Sequence, residues 1–307
     1  MSNRQKENSK RRLLQKIRKQ RLKYITILPS LITLINGISG FAAIIFASKA
    51  GQSNQIGIDV YSESFPFFTA ACYMIGLAMV ADMLDGRVAR MSHSTSSFGG
   101  QLDSLCDVIS FGVAPAVLML NFMSSQAGFT AALDVFVYRF LWLAGAIYLG
   151  CTAIRLARFN VENEEDEASH NNFSGLPTPA AAGVIASLIF LHQYLLPQAP
   201  NSPSWLGGIL QNMIVIVVPF ATLAAAVLMI SRLRYPHLVN QYLRGKKPFA
   251  YLLWTVVLLI LVIFIFEISA AIVFCGFAAS GPVRWVYQKI TMSKAAKPDN
   301  HAASDVI

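Results

Sequence analysis

Eight stretches of this chain are each apolar over about the length needed to cross a bilayer, and that property constrains the fold more than any other. A spanning helix takes roughly 20 mostly apolar residues to cross a hydrocarbon core of about 30 Å. In lipid, every backbone N–H and C=O must find its partner within the protein. The windows run near 28–48, 65–84, 98–123, 137–157, 179–197, 209–230, 249–266 and 268–286. The expected fold is therefore all-α, a polytopic integral membrane helix bundle of about eight transmembrane helices. Only Phe266, Glu267 and Ile268 separate the last two windows, which read as a hairpin, with a single tilted or re-entrant element as the alternative. The first apolar run is longer than the core of a signal peptide and leads into further spans, so no cleavable leader is expected. A mean hydropathy of +0.51 with 13% charged residues excludes a disordered or ordinary cytosolic chain.

The net charge of +9 is placed unevenly. Residues 1–24 hold ten Lys/Arg against one acid, Glu7, so the remainder carries fifteen basic and fifteen acidic residues. A basic arm on a neutral membrane body argues for a lipid surface and against a nucleic-acid partner. Leu13, Leu14, Ile17, Tyr24 and Ile25 recur at near-helical spacing in and just after the arm. It reads either as an interfacial helix on anionic headgroups or as a basic tail that only enforces topology. Lys and Arg recur in alternate loops, at Arg87 and Arg90, at Arg158, and through 231–248. This bias places both termini on the cytoplasmic side of the inner membrane. Cys72, Cys106, Cys151 and Cys275 all fall in apolar stretches and read as small buried hydrophobes.

Against this background the second and third spans hold four carboxylates, Asp82, Asp85, Asp103 and Asp107. A charge at mid-membrane costs at least about 2.5–3.5 kcal/mol, so four of them do not face lipid. Spacings of three and four residues put Asp82 with Asp85, and Gly99 with Asp103 and Asp107, on common helix faces. Two antiparallel helices joined by a short loop would bring the pairs together. Their mutual repulsion calls for cations, and all-oxygen ligands select hard divalent ions, Mg²⁺, Mn²⁺ or Ca²⁺, over Zn²⁺ or copper, with a bridged pair of ions the natural arrangement. Gly86 permits close backbone approach, Arg90 offers a forked donor, and Ser94, Thr95, Ser96 and Ser97 supply hydroxyls, a set suited to phosphate. Two other readings stay open: a metal-free network with Arg87 and Arg90, and an ion relay in a transporter. A transporter predicts repeated broken helices, and the aspartate pattern has no second copy in the sequence.

The run Asp82-x2-Asp85-Gly86-x2-Ala89-Arg90-x8-Gly99-x3-Asp103-x3-Asp107 resembles, at all eight fixed positions, the signature of the CDP-alcohol phosphatidyltransferases. The resemblance implies a membrane enzyme that moves a phosphatidyl group from a CDP-lipid to an alcohol and releases CMP. It implies that Asp82, Asp85, Asp103 and Asp107 ligate metal and that Asp107 also serves as general base. It further implies that Gly86, Ala89, Arg90, Ser96 and Gly99 bind the CDP-lipid, and that a homodimer forms. The family's six-helix core would cover 25–230, leaving 1–24 as arm, 231–290 as a cytoplasmic loop plus C-terminal hairpin, and 291–307 as a disordered tail.

The signature specifies the donor and leaves the acceptor to other residues. The stretch from Arg155 to Asn160, the stretch from Phe173 to Gly183, and Thr33-x2-Asn36 with Gly40 resemble the phosphatidylserine synthases of this family. This implies CDP-diacylglycerol and L-serine as substrates. Arg155 or Arg158 would grip the serine carboxylate through paired hydrogen bonds, with Asn36 as a further acceptor- or phosphate-binding residue. Topological anchoring and donor-phosphate binding are the alternative roles for the arginines. Glycerol 3-phosphate, inositol and choline remain the alternative acceptors. His170 and His192 read as ordinary residues, and Ala221 to Ala226 as a close-packing helix face.

Overall fold

The computed structural model describes residues 30–50, 60–92, 97–126, 131–165, 175–195, 205–233, 235 and 266–295. Helix α1 covers Ser30–Ala50. It is followed by α2 (Val60–Ser92), α3 (Ser97–Asp107), a π-helical turn (Val108–Val113) and α4 (Ala114–Gln126). Then come α5 (Ala131–Glu165), α6 (Thr178–Leu195), α7 (Trp205–Ile230) and α8 (Phe266–Ala295). Helix α3, the π turn and α4 form one continuous apolar rod, so the described residues contain seven helices able to cross a membrane.

Seven of the eight expected windows coincide with these spans to within a few residues. The eighth, near 249–266, lies outside the described residues apart from Phe266, which opens α8 together with Glu267 and Ile268. Helix α8 runs on to Ala295, five residues into the segment expected to be tail. The basic arm also lies outside the described residues.

The spans pack mainly through small residues, because lipid tails give no hydrophobic drive for helices to associate and close backbone approach must supply the contact. Ala43 and Ala47 of α1, Ala71 and Ala78 of α2, Ala181 and Ala182 of α6, and Ala225 and Ala226 of α7 are all buried. The expected alanine face of α7 is thus part of the core. Helix α6 is the most enclosed element, packed by α2, α7 and α8, while α5 packs on α7. Large side chains fill the middle: Phe68, Phe111, Phe122 and Tyr148 are buried, with Phe68 and Phe122 meeting edge to face at 5.8 Å between centroids.

Two contacts dock α8. Gly183 lies so close to Phe274 that a Cβ would enter its ring, and Gly281 receives the ring of Tyr235. The Tyr235 hydroxyl donates to the Ala278 carbonyl at 3.2 Å, and burial pushes this phenol up to about 12. At the start of α6 the chain is tied to the end of α7, since Gly175 N–H donates to Leu233 C=O at 2.9 Å and Leu176 N–H to Leu228 C=O at 3.0 Å. Gly175 has φ +91°, in the left-handed region open to glycine.

Candidate active site

Antiparallel packing gathers one end of each of several helices into a single polar region. The C-terminal part of α2 brings Asp82 and Asp85, and α3 brings Gly99, Asp103 and Asp107. One carboxylate oxygen from each of Asp82, Asp85 and Asp103 lies within 4.8 Å of the others. Asp85 is buried, yet its Oδ2 has no hydrogen-bond partner among the described residues, and neither does Asp103 Oδ1. Buried carboxylate oxygens are normally satisfied, so oxygens left open inside a like-charged trio fit a divalent cation. The rest of Asp85 is held by the Thr33 hydroxyl and the Gly86 backbone N–H.

Asp107 stands apart from the trio in its contacts. It is buried, and its Oδ1 accepts from Asn36 Nδ2 at 2.9 Å. Asn36 is itself fixed, its backbone carbonyl accepting from the Ser110 hydroxyl at 2.9 Å. This reach across from α1 depends on two glycines: a Cβ at Gly37 would press on Cys106 Sγ at 2.8 Å, and one at Gly40 would strike Ser110. The α1 backbone therefore lies directly against the aspartate-bearing helix.

From α5, the Arg155 guanidinium acts electrostatically on Asp107. Its Nη1 donates to Thr178 Oγ1 at the start of α6 at 3.4 Å, while its buried Nε has no partner among the described residues. One turn further on, Arg158 is half-buried, and Asn160 Nδ2 donates to Ser104 Oγ at 2.8 Å. A fixed carboxylate, a guanidinium at the same end of the bundle and a trio of carboxylates open to a cation make a site that can hold a phosphate ester beside an anionic acceptor.

Residues 26–220 match the family described as CDP-alcohol phosphatidyltransferase. The chain belongs to the CDP-alcohol phosphatidyltransferase family. Among similar members, the CDP-diacylglycerol-serine O-phosphatidyltransferase of Helicobacter pylori (strain J99) is 32% identical over 231 residues, 74% of this chain and 84% of the relative. The archaetidylserine synthase of Methanothermobacter thermautotrophicus is 34% identical over 212 residues, 68% of this chain and 69% of the relative. The Saccharomyces cerevisiae CDP-diacylglycerol-serine O-phosphatidyltransferase is 34% identical over 164 residues, 52% of each chain.

Of the family signature, the four aspartates, Gly86 and Gly99 are described in full. Ala89 and Arg90 fall in the last turns of α2 with their side chains outside the described residues, and Ser96 lies outside them altogether. Asn36 bonds Asp107 directly, whereas Arg155 bonds Thr178 and feels Asp107 only through its charge. Sequence reasoning missed Ser104 and Ser110, and it met Thr33, Asn160 and Thr178 only within stretches of family resemblance, without assigning them a supporting role. Thr33 is three residues before Asn36, on the same helix face, which is the one signal that pointed to it. His192 lies 14 residues along α6 from Thr178, about 20 Å away by helical rise. It is buried with its ring edge-on to Phe122 at 4.9 Å, outside the catalytic region.

Proposed function

We propose that the protein transfers a phosphatidyl group from CDP-diacylglycerol to the hydroxyl of L-serine, releasing CMP. The observation that carries this reading is the convergence of Asp82, Asp85 and Asp103 within 4.8 Å, beside an Asp107 that Asn36 orients. The serine-directed names of the H. pylori and S. cerevisiae relatives select the acceptor.

The serine hydroxyl oxygen bonds to the phosphorus that bears diacylglycerol. The bond from that phosphorus to the CMP oxygen breaks, and its electron pair leaves with CMP. Asp107 takes the hydroxyl proton as the new bond forms. Asp82, Asp85 and Asp103, with Asp107 at their edge, would hold Mg²⁺ or Mn²⁺, as two ions, which when bound offset charge on the reacting phosphates. Gly86, Ala89, Arg90, Ser96 and Gly99 bind the CDP-lipid.

Arg155 is the better candidate than Arg158 for the serine carboxylate. It feels the charge of Asp107, and Thr178 braces one arm of its fork while Nε has no partner among the described residues. Residues 25–230 form the catalytic core. The protein works as a homodimer in the inner membrane, with its site at the cytoplasmic face, where a nucleotide arrives from water while acyl chains remain in lipid.

The test supplies purified protein with CDP-diacylglycerol, Mg²⁺ or Mn²⁺, and serine, glycerol 3-phosphate, inositol or choline in turn, reading CMP and the lipid product. Phosphatidylserine from serine alone is expected. Product from another alcohol and none from serine overturns the acceptor, and no CMP with any alcohol overturns the reaction.

A further inference from the structure

Immediately after Asp107 the helix changes its hydrogen-bonding pattern. Val108–Val113 forms a π turn, closed by the Ala114 N–H donating to the Ile109 carbonyl five residues back. The sequence supplies the cause. Pro115 stands four residues after Phe111, where an α-helix would require an N–H for the Phe111 carbonyl. Proline has none, and its ring crowds that carbonyl. The widened turn relieves the clash, and the Phe111 C=O, denied the α-helical donor that Pro115 lacks, lies inside a bundle where no water replaces it.

Tyr148 of α5 fills the vacancy. Its hydroxyl donates to the Phe111 carbonyl at 2.8 Å, and both residues are fully buried. Gly112 lets α5 approach, because a Cβ there would sit 3.0 Å from Leu149 and 3.3 Å from Thr152. The neighbouring Ser110 donates across to the Asn36 carbonyl, and Asn36 holds Asp107. One extra residue in a helix rotates the segment before it by about 100° relative to the segment after it. The π turn therefore decides which way Asp103 and Asp107 face, given that Ala114–Gln126 is locked in the core.

We propose that Tyr148 and Pro115 are positioning residues for Asp107: Pro115 forces the π turn, Tyr148 holds its freed carbonyl, and together they aim the carboxylate at Asn36 and the acceptor. The proposal rests on the proton-accepting role of Asp107 in the proposed transfer.

Tyr148→Phe removes one hydroxyl and nothing else. The expected result is a fall in kcat of about tenfold, with KM for both substrates within about twofold, since an aiming defect is felt in the reaction step more than in binding. Tyr235→Phe is the matched control, losing a tyrosine-to-carbonyl bond at α8, and keeps wild-type kcat. Pro115→Ala returns an N–H to the helix and lets the turn close to α, with the same fall in kcat. It decides the matter if Tyr148→Phe is not recovered folded.

Wild-type kcat in either positioning variant overturns the proposal, as does an equal fall in the control. A wild-type protein that releases no CMP overturns the underlying reaction instead, which keeps the two failures distinct.

Discussion

At the scale of the residue, the four aspartates divide by what holds them. Asp82, Asp85 and Asp103 point oxygens at one another, an arrangement that is unfavourable without a cation. Asp107 receives a fixed amide from Asn36, as suits a group that must accept a proton at one place. Asp107→Asn keeps the shape and the Asn36 neighbour but loses the basic oxygen. Its turnover is expected to fall about 10³-fold, within the usual range for loss of a general base, while CDP-diacylglycerol binding by calorimetry stays within about twofold. Turnover near wild type would remove the role. The spacing of these aspartates was legible because three- and four-residue intervals on a helix fix a shared face whatever surrounds it. Asn36 and Arg155 were singled out only by family resemblance, and the bonds Asn36–Asp107 and Arg155–Thr178 were not legible, since they depend on the choice of neighbouring helices.

At the scale of the element, apolar length alone located seven described spans, because lipid leaves a chain no alternative to a helix at those positions. The π turn escaped the same reasoning. A single proline in an apolar run predicts a disturbed helix, but whether it kinks or widens depends on a donor from another element, here Tyr148. The glycine seam of α1 was only partly visible: sequence singles out Gly40, but the helix that packs on it is a matter of tertiary structure. Gly40→Ala places a Cβ against Ser110, including its backbone Cα, so α1 must move away. Overpacking of this kind costs about 1–3 kcal/mol. The expected outcome is a lower midpoint for heat-induced aggregation in detergent, read by size-exclusion chromatography, together with reduced kcat as Asn36 withdraws from Asp107. Gly76→Ala, on α2 with open space around it, provides the contrast and should match or exceed wild-type stability, alanine favouring the helix by about 0.5–1 kcal/mol. A Gly40→Ala midpoint equal to that of Gly76→Ala would mean that the seam is not tightly packed.

At the scale of the whole molecule, the described site residues fall at one end of the bundle: the start of α1, the end of α2, α3, the end of α5 and the start of α6. The last turns of α2 and α5 at that end carry Arg87, Arg90 and Arg158, and the basic segment 231–248 follows α7 in sequence. Helix α8 ends in the same sense, with Arg284 and Lys289 near its C-terminus and Lys289 over the Trp285 ring at 5.1 Å, an aromatic and cationic pairing typical of a membrane interface. The expected orientation rests on loop charge and not on packing. The prediction is that this end faces the cytoplasm. Ser53→Cys, between α1 and α2 in sequence, should react with a membrane-impermeant maleimide in intact cells. His237→Cys, in the segment after α7, should react only after permeabilisation, with the wild-type protein setting the background from its native cysteines. The reverse pattern would put the aspartates on the side of the membrane away from the cytoplasmic nucleotide-linked lipid headgroups, and the proposed reaction would lose its donor.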